Sequence, residues 1–200
     1  MLRNTEATYG SLAKWLHWGM ALWFLVAYVI IIYITWGKEG PFSNTNPHKV
    51  VGFSILVPLA IRAYWRWTNP APKLPSGMPG WQVRVSHLSH YFLYFLMLAM
   101  PLSGYFSNGG GVNYGIFRIP GFGRTRIAAW IFETFGITYE QWDAFWNVFH
   151  YGIVGPWIFS GLVILHASAA IYHHVVQKDN VLLRMLPDNK MSEQKSPNQF

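Results

Sequence analysis

Apolar residues in this chain come in runs longer than a soluble core needs. From Leu16 to Thr35 no residue carries a formal charge, and a single histidine, His17, stands near the start. At 1.5 Å per residue such a run covers about 30 Å, the thickness of bilayer hydrocarbon. A first spanning helix is therefore predicted from about Lys14 to Trp36. Gly37, Gly40, Pro41, Asn44, Asn46 and Pro47 mark a polar loop, and His48 to Trp67 reads as a second span, broken only by Arg62 and Arg66 near its end. Thr68 to Gly80 carries prolines at 70, 72, 75 and 79, so an extended connector is expected there. A third span is predicted from Val85 to Phe106, bent near its end by Pro101 and Gly104.

Ser107 to Gly123 reads as a glycine-rich loop in which Gly109, Gly110 and Gly111 form a flexible turn; no lysine follows them as a phosphate loop requires. Arg124 to Phe135 and Tyr139 to Asn147 carry too much charge to span. They are expected to lie along the membrane surface or to lead into a fourth span from about Asn147 to Gln177. The fold class expected is all-α integral membrane: a four-helix bundle in one domain, residues 1–186, followed by a mobile polar tail, 187–200.

Charge sets the orientation. Ten of the fifteen Lys and Arg fall on the side of the termini and five on the other, so both termini are expected in the cytoplasm of a bacterium, with the chain multi-pass in the inner membrane. The first span lacks an A-x-A cleavage site and is longer than a signal-peptide core, so it reads as retained. The net charge of +7 does not point to nucleic acid, because the basic residues are scattered at the ends of apolar runs rather than gathered in a tract. Only 12% of residues are charged, about half of what a soluble domain carries. With no cysteine, thiolate zinc sites, iron–sulfur clusters, disulfides and covalent haem attachment are excluded.

All eight histidines lie within or at the ends of the predicted spans. An imidazole in hydrocarbon needs a partner, so such residues tend to face the bundle interior and mark ligand or proton sites. Depth sorts four of them. His17 and His166 belong to the inner half, His48 and His150 to the outer half. The sixteen residues from His150 to His166 correspond to about 24 Å of helix, a separation suited to two cofactors stacked across a bilayer.

The runs LHW at 16–18, PHKVVGFSILVPLAIRAYWRWTNPAP at 47–72, HLSHYFLYFLMLAMPLSGY at 87–105 and LHASAAIYHHVVQKDNVLLRMLP at 165–187 resemble the bacterial cytochrome b561 family. The resemblance implies two b haems held by histidine alone, one between His17 and His166 and one between His48 and His150. One member of that family oxidises superoxide and reduces ubiquinone; others carry electrons for other partners. The family spaces its two fourth-helix ligands fourteen residues apart, within ~40° of one face, whereas sixteen residues of ideal α-helix turn them ~160° apart. A proline kink at Pro156 or π-bulges near Gly152 and Gly155 would have to return His150 to the haem face.

The resemblance also implies a quinone site near His173, with His90 as a further candidate, since an imidazole can hydrogen-bond a quinone carbonyl and supply its proton. The alternative for His173 and His174 is a purely interfacial role. For His87 and His90 it is structural hydrogen bonding or proton delivery. Arg62, at the inner level, is a candidate partner for a haem propionate, against the alternative of an arginine snorkelling to the membrane edge. Lys38, Lys49, Arg118, Arg124 and Arg126 on the outer side could steer an anion such as superoxide, or form an ordinary solvated surface. The methionines read as packing residues.

Three functions fit: a superoxide:ubiquinone oxidoreductase, a cytochrome subunit relaying electrons for a periplasmic dehydrogenase or hydrogenase, and a haem-free histidine-lined transporter. The expected partners are lipid, quinone, and superoxide or a periplasmic redox protein.

Overall fold

The computed structural model describes residues 1–36, 44–75 and 77–187. The expected tail falls almost wholly outside these residues, as do Lys38 and most of the first loop. Helices dominate: α1 (Ser11–Trp36), α2 (Asn46–Ser54), α3 (Leu56–Thr68), α4 (Gly80–Phe106), α5 (Arg126–Phe135), α6 (Tyr139–Asn147) and α7 (Ser160–Val175), with a π-helical segment, Val148–Phe159, joining the last two. Among the described residues three helices have the length and apolarity to cross a membrane: α1, α4 and the continuous rod Tyr139–Val175.

Their side chains are distributed as lipid solvent requires. Leu22, Leu25, Val29, Phe92, Phe95, Ile164 and Leu165 are exposed, and only 11%, 17% and 6% of the three spans' most apolar windows are buried. A water-soluble helix hides its apolar stripe and shows a polar face; these helices show apolar side chains outward as well. The buried positions of α1 include Ala13, Met20 and Ala27, a seven-residue repeat that forms one narrow seam. Small residues at both ends of it let α1 lie close against α2 and α3.

The expected second span is two helices that meet at Ile55. Pro58 has no N–H to offer the Ser54 carbonyl, which removes the hydrogen bond that would carry the ladder through. Ile55, 1% exposed, is packed at the break. After the extended connector, α4 encloses Pro101 and buries Ser103 completely.

The loop after α4 is more ordered than its glycines suggest. Val112–Asn113 (β1) pairs antiparallel with Arg118–Ile119 (β2). Gly111, at φ +77°, lies so close to this hairpin that a Cβ would stand 2.2 Å from the Ile119 carbonyl oxygen. The triple glycine is thus a close-packed corner rather than a flexible turn. Thr125 caps α5, which ends at left-handed Gly136. A capping box between Thr138 and Gln141 then starts α6. That helix runs straight into the π segment, so of the two placements expected for Tyr139 to Asn147 the chain adopts the lead into the fourth span.

The opposite end of the bundle gathers distant parts of the sequence. Asn4 Nδ2 donates to the Asn69 and Pro70 carbonyls, Lys73 pairs with Glu6 at 2.7 Å, Arg184 donates to the Lys73 carbonyl, and the Trp18 indole donates to the Met185 carbonyl at 2.8 Å. The N-terminal segment, the proline connector and the chain after α7 therefore meet at one end.

Candidate functional site: two histidine pairs

His48, in the first turn of α2, faces His150 in the π segment with ring centroids 6.1 Å apart. His17 on α1 faces His166 on α7 at 6.2 Å. Two imidazoles bound trans to one metal, each at about 2 Å, stand with ring centres roughly 6 Å apart. Both pairs fit a bis-imidazole centre on that measure.

His48 and His150 are each held by a hydrogen bond at Nδ1. His48 Nδ1 lies 2.9 Å from the Ala27 carbonyl oxygen, which can only accept, so Nδ1 carries the hydrogen. His150 Nδ1 lies 3.0 Å from Ser103 Oγ, whose own hydrogen goes to the Met100 carbonyl at 2.9 Å. The hydroxyl is left as an acceptor, and His150 Nδ1 is again the protonated nitrogen. In both rings Nε2 keeps its lone pair, the tautomer that a metal-ligating histidine with an outer hydrogen-bond partner adopts. Gly104 completes the setting: a Cβ there would stand 2.8 Å from His150 Cε1. The ring occupies the space a side chain would fill, which is a firmer reason for this glycine than helix bending.

The π segment resolves the register between His150 and His166. Each i→i+5 turn takes up about one residue more than an α turn. From His150 to Phe159 the chain makes roughly two such turns, so the sixteen residues to His166 subtend what about fourteen would in α-helix, and both rings return to within ~40° of one face. Glycine at 155 permits this winding, because a Cβ there would lie 2.2 Å from the His150 carbonyl oxygen and 2.9 Å from Met100 Cε.

The His17–His166 pair has more company. His90 on α4 lies 5.4 Å from His166 between ring centroids. Arg62 Nη2 is 3.3 Å from His17 Nδ1, Nη1 is 3.5 Å from the Ala13 carbonyl oxygen, and the guanidinium sits 5.8 Å from the centre of the Tyr94 ring. Arg62 is therefore turned into the bundle beside His17 rather than outward to the membrane edge. Further along α7, His173 Nδ1 and Asp179 Oδ2 are 2.6 Å apart, each side chain 16% exposed. The pair forms because Lys178 adopts φ +55°, turning the chain back so that the Asp179 N–H also donates to the His173 carbonyl. No hydrogen bond or ring contact joins His173 to His90 among the described residues, and His87 and His174 are exposed.

At the His48 end of the bundle, Lys49 and Arg118 line one cavity with Asn46 and Asn113, while Arg124 and Arg126 stand exposed outside its lining. Sequence reasoning did not single out Ser103, Asp179 or the Ala27 carbonyl. A serine inside an apolar span is a weak signal, and a backbone carbonyl is no signal at all.

A membrane-embedded helical scaffold with histidines facing one another in pairs defines a membrane cytochrome. The chain belongs to the prokaryotic cytochrome b561 family, whose model matches residues 8–188. Cytochrome b561 homolog 1 of Escherichia coli (strain K12) is 28% identical over 88% of this chain and 95% of its own length. Cytochrome b561 homolog 2 of the same strain is also 28% identical, over 92% and 93%. The probable superoxide oxidase CybB of Yersinia pestis is 25% identical over 91% and 97%. The family binds b-type haem and serves electron transport, and this chain is a multi-pass protein of the inner membrane.

Proposed function

We propose that this protein is a di-haem cytochrome that moves electrons between an outer-side donor and the quinone pool, as a superoxide:ubiquinone oxidoreductase. In this reading α2 and α3 together make a fourth span, residues 1–186 form one domain, and both termini are cytoplasmic, in keeping with the ten-to-five split of basic residues. The observation that carries it is the spacing of the two histidine pairs, 6.1 and 6.2 Å, one toward each end of the bundle. His48 and His150 would hold the outer haem; His17 and His166 would hold the inner one. The 5.4 Å between His90 and His166 is short for two ligands of one iron and leaves His90 as a neighbour of the inner site.

A b haem with two imidazole ligands supplies a one-electron carrier without an open coordination position. The chain's own residues do the rest. Ala27 and Ser103 fix the ring orientation of the outer ligands. At the inner site, His17 holding a haem would need an Nδ1 hydrogen that the present Arg62 contact at 3.3 Å leaves no room for, so Arg62 would turn from His17 and take a propionate. His173, held by Asp179, is positioned to hydrogen-bond a quinone carbonyl and hand on a proton, with His90 as a second candidate. The overall balance is two superoxide ions losing one electron each to leave as dioxygen, while one ubiquinone takes two electrons and two protons.

The E. coli relatives are named only as cytochrome b561 homologs, which keeps a second reading: a relay subunit for a periplasmic dehydrogenase or hydrogenase. Pyridine haemochrome quantification and superoxide-dependent ubiquinone reduction on the purified protein test both. Two b haems per chain with quinone reduction support the oxidoreductase. Two haems without it leave the relay, and a colourless protein sinks both, leaving the haem-free transporter.

A further inference from the structure

Beyond the outer histidine pair a cavity of about 410 Å³ opens between the start of α2, the loop after α4 and the hairpin. Lys49 and Arg118 line it, and among the described residues no carboxylate does. Lys49 Nζ donates to Asn108 Oδ1 at 2.9 Å, and Arg118 donates to the Gly110 carbonyl. Both acceptors are neutral, and neither cation belongs to an ion pair among the described residues.

The two charges are held there by structure. Asn108 is buried, and it donates to the Gly111 carbonyl at 2.8 Å while its oxygen takes the Gly110 N–H at 3.1 Å. Lys49 is thus anchored to a fixed side chain. The hairpin is fastened to α2 by two bonds between Asn46 and Asn113, at 2.8 and 3.0 Å. Asn113 is the ladder partner of Arg118, so this clasp brings the guanidinium to the same cavity as Lys49. Like charges brought together without compensation are unfavourable, and an anion between them removes the penalty. A guanidinium beside an ammonium, rimmed by asparagine amides, suits a carboxylate, which accepts from both in fixed directions. The cavity's lining is also close along the chain to the His48–His150 pair. Lys49 follows His48 directly, and Asn108 lies four residues beyond Gly104, the glycine that supports His150, or about 6 Å of rise in helical terms.

We propose that the Lys49–Arg118 cavity is a carboxylate-binding site. The carboxylate comes either from a propionate of a haem held between His48 and His150, a source that rests on the haem reading above, or from a small organic acid in the compartment on that side, a source that does not.

The test uses the purified full-length protein, its Lys49→Gln/Arg118→Gln double variant and a charge-conserving Lys49→Arg variant. Each is examined by spectroelectrochemical titration of the haems and by calorimetric titration with citrate at constant ionic strength. If a propionate occupies the cavity, the double variant lowers the midpoint potential of one haem and leaves the other unchanged, Lys49→Arg keeps the parent potential, and citrate does not bind. If a free acid occupies it, citrate binds the parent, the double variant weakens that binding at least tenfold, and both potentials stay. Unchanged potentials together with no citrate binding, or with citrate binding that the substitutions leave intact, overturn the proposal. A haem-free parent defeats the di-haem reading alone, and the citrate titration then decides the cavity by itself. Should the double variant fail to fold, each single glutamine variant is read in the same two titrations.

Discussion

Ser103 receives the His150 Nδ1 hydrogen at 3.0 Å while sending its own to the Met100 carbonyl at 2.9 Å, and it is 0% exposed. One hydroxyl thereby sets both the tautomer and the orientation of an imidazole on the neighbouring helix. Replacing Ser103 with Ala leaves the imidazole N–H without this acceptor and frees the ring to rotate. Loss of such an outer partner typically costs 10–100-fold in metal affinity. The expected outcome is a protein that retains one haem firmly and releases the other at least tenfold faster to a haem scavenger such as apomyoglobin, followed by the decay of the α band.

Gly104→Ala tests the packing on the other side of the same ring. The added Cβ would meet His150 Cε1 at 2.8 Å, so the ring or the helix must move. Overpacking of this kind typically costs 1–3 kcal/mol. The variant should bind about one haem per chain by pyridine haemochrome assay, whereas Gly19→Ala, at a position where a Cβ meets nothing within 4 Å, should bind the parent's complement.

Gly155→Ala addresses the π segment. A side chain at 155 conflicts with the His150 carbonyl oxygen at 2.2 Å, which favours rewinding toward α-helix and turns His150 away from the face of His166. Haem stoichiometry should again fall toward one per chain, with the remaining haem showing the parent's inner-site potential. An unchanged count would mean that the register does not depend on this glycine.

Arg62→Gln removes a cation beside His17. In the haem-loaded protein positive charge favours the reduced state, so its loss should lower the inner midpoint potential. A shift on the order of one tenfold step in the one-electron equilibrium is about 59 mV. Arg62→Lys should retain most of the parent value, and the outer potential should be unmoved by either change in a redox titration.

The three long spans, the proline connector and the charge asymmetry could be read from residue order because each depends on local composition: hydropathy over about twenty residues, missing N–H groups, and the sign of flanking charges. The histidines stood out for the same reason, being costly in hydrocarbon wherever they fall. The break at Ile55 was also local in origin, since Pro58 stands four residues after Ser54, but an apolar run conceals it.

Residue order alone determined that the chain crosses the membrane as helices, that these 200 residues offer no cysteine chemistry, and that the histidines fall within or at the ends of apolar runs. It left the face of His150 undecided, because ideal α-helical periodicity set it ~160° from His166 and only a kink at Pro156 or π-bulges near Gly152 and Gly155 could return it. Only the tertiary structure decided that Val148–Phe159 winds as a π-helix and so brings His150 to His48. It alone set Ser103 and the Ala27 carbonyl behind the two outer imidazoles, Asp179 behind His173, and Lys49 and Arg118 around one cavity. The reason is physical: a choice between i→i+4 and i→i+5 bonding rests on contacts with neighbouring helices, such as Met100 against Gly155. A hydrogen bond between residues 47 positions apart, as between Ser103 and His150, likewise exists only once the helices have packed.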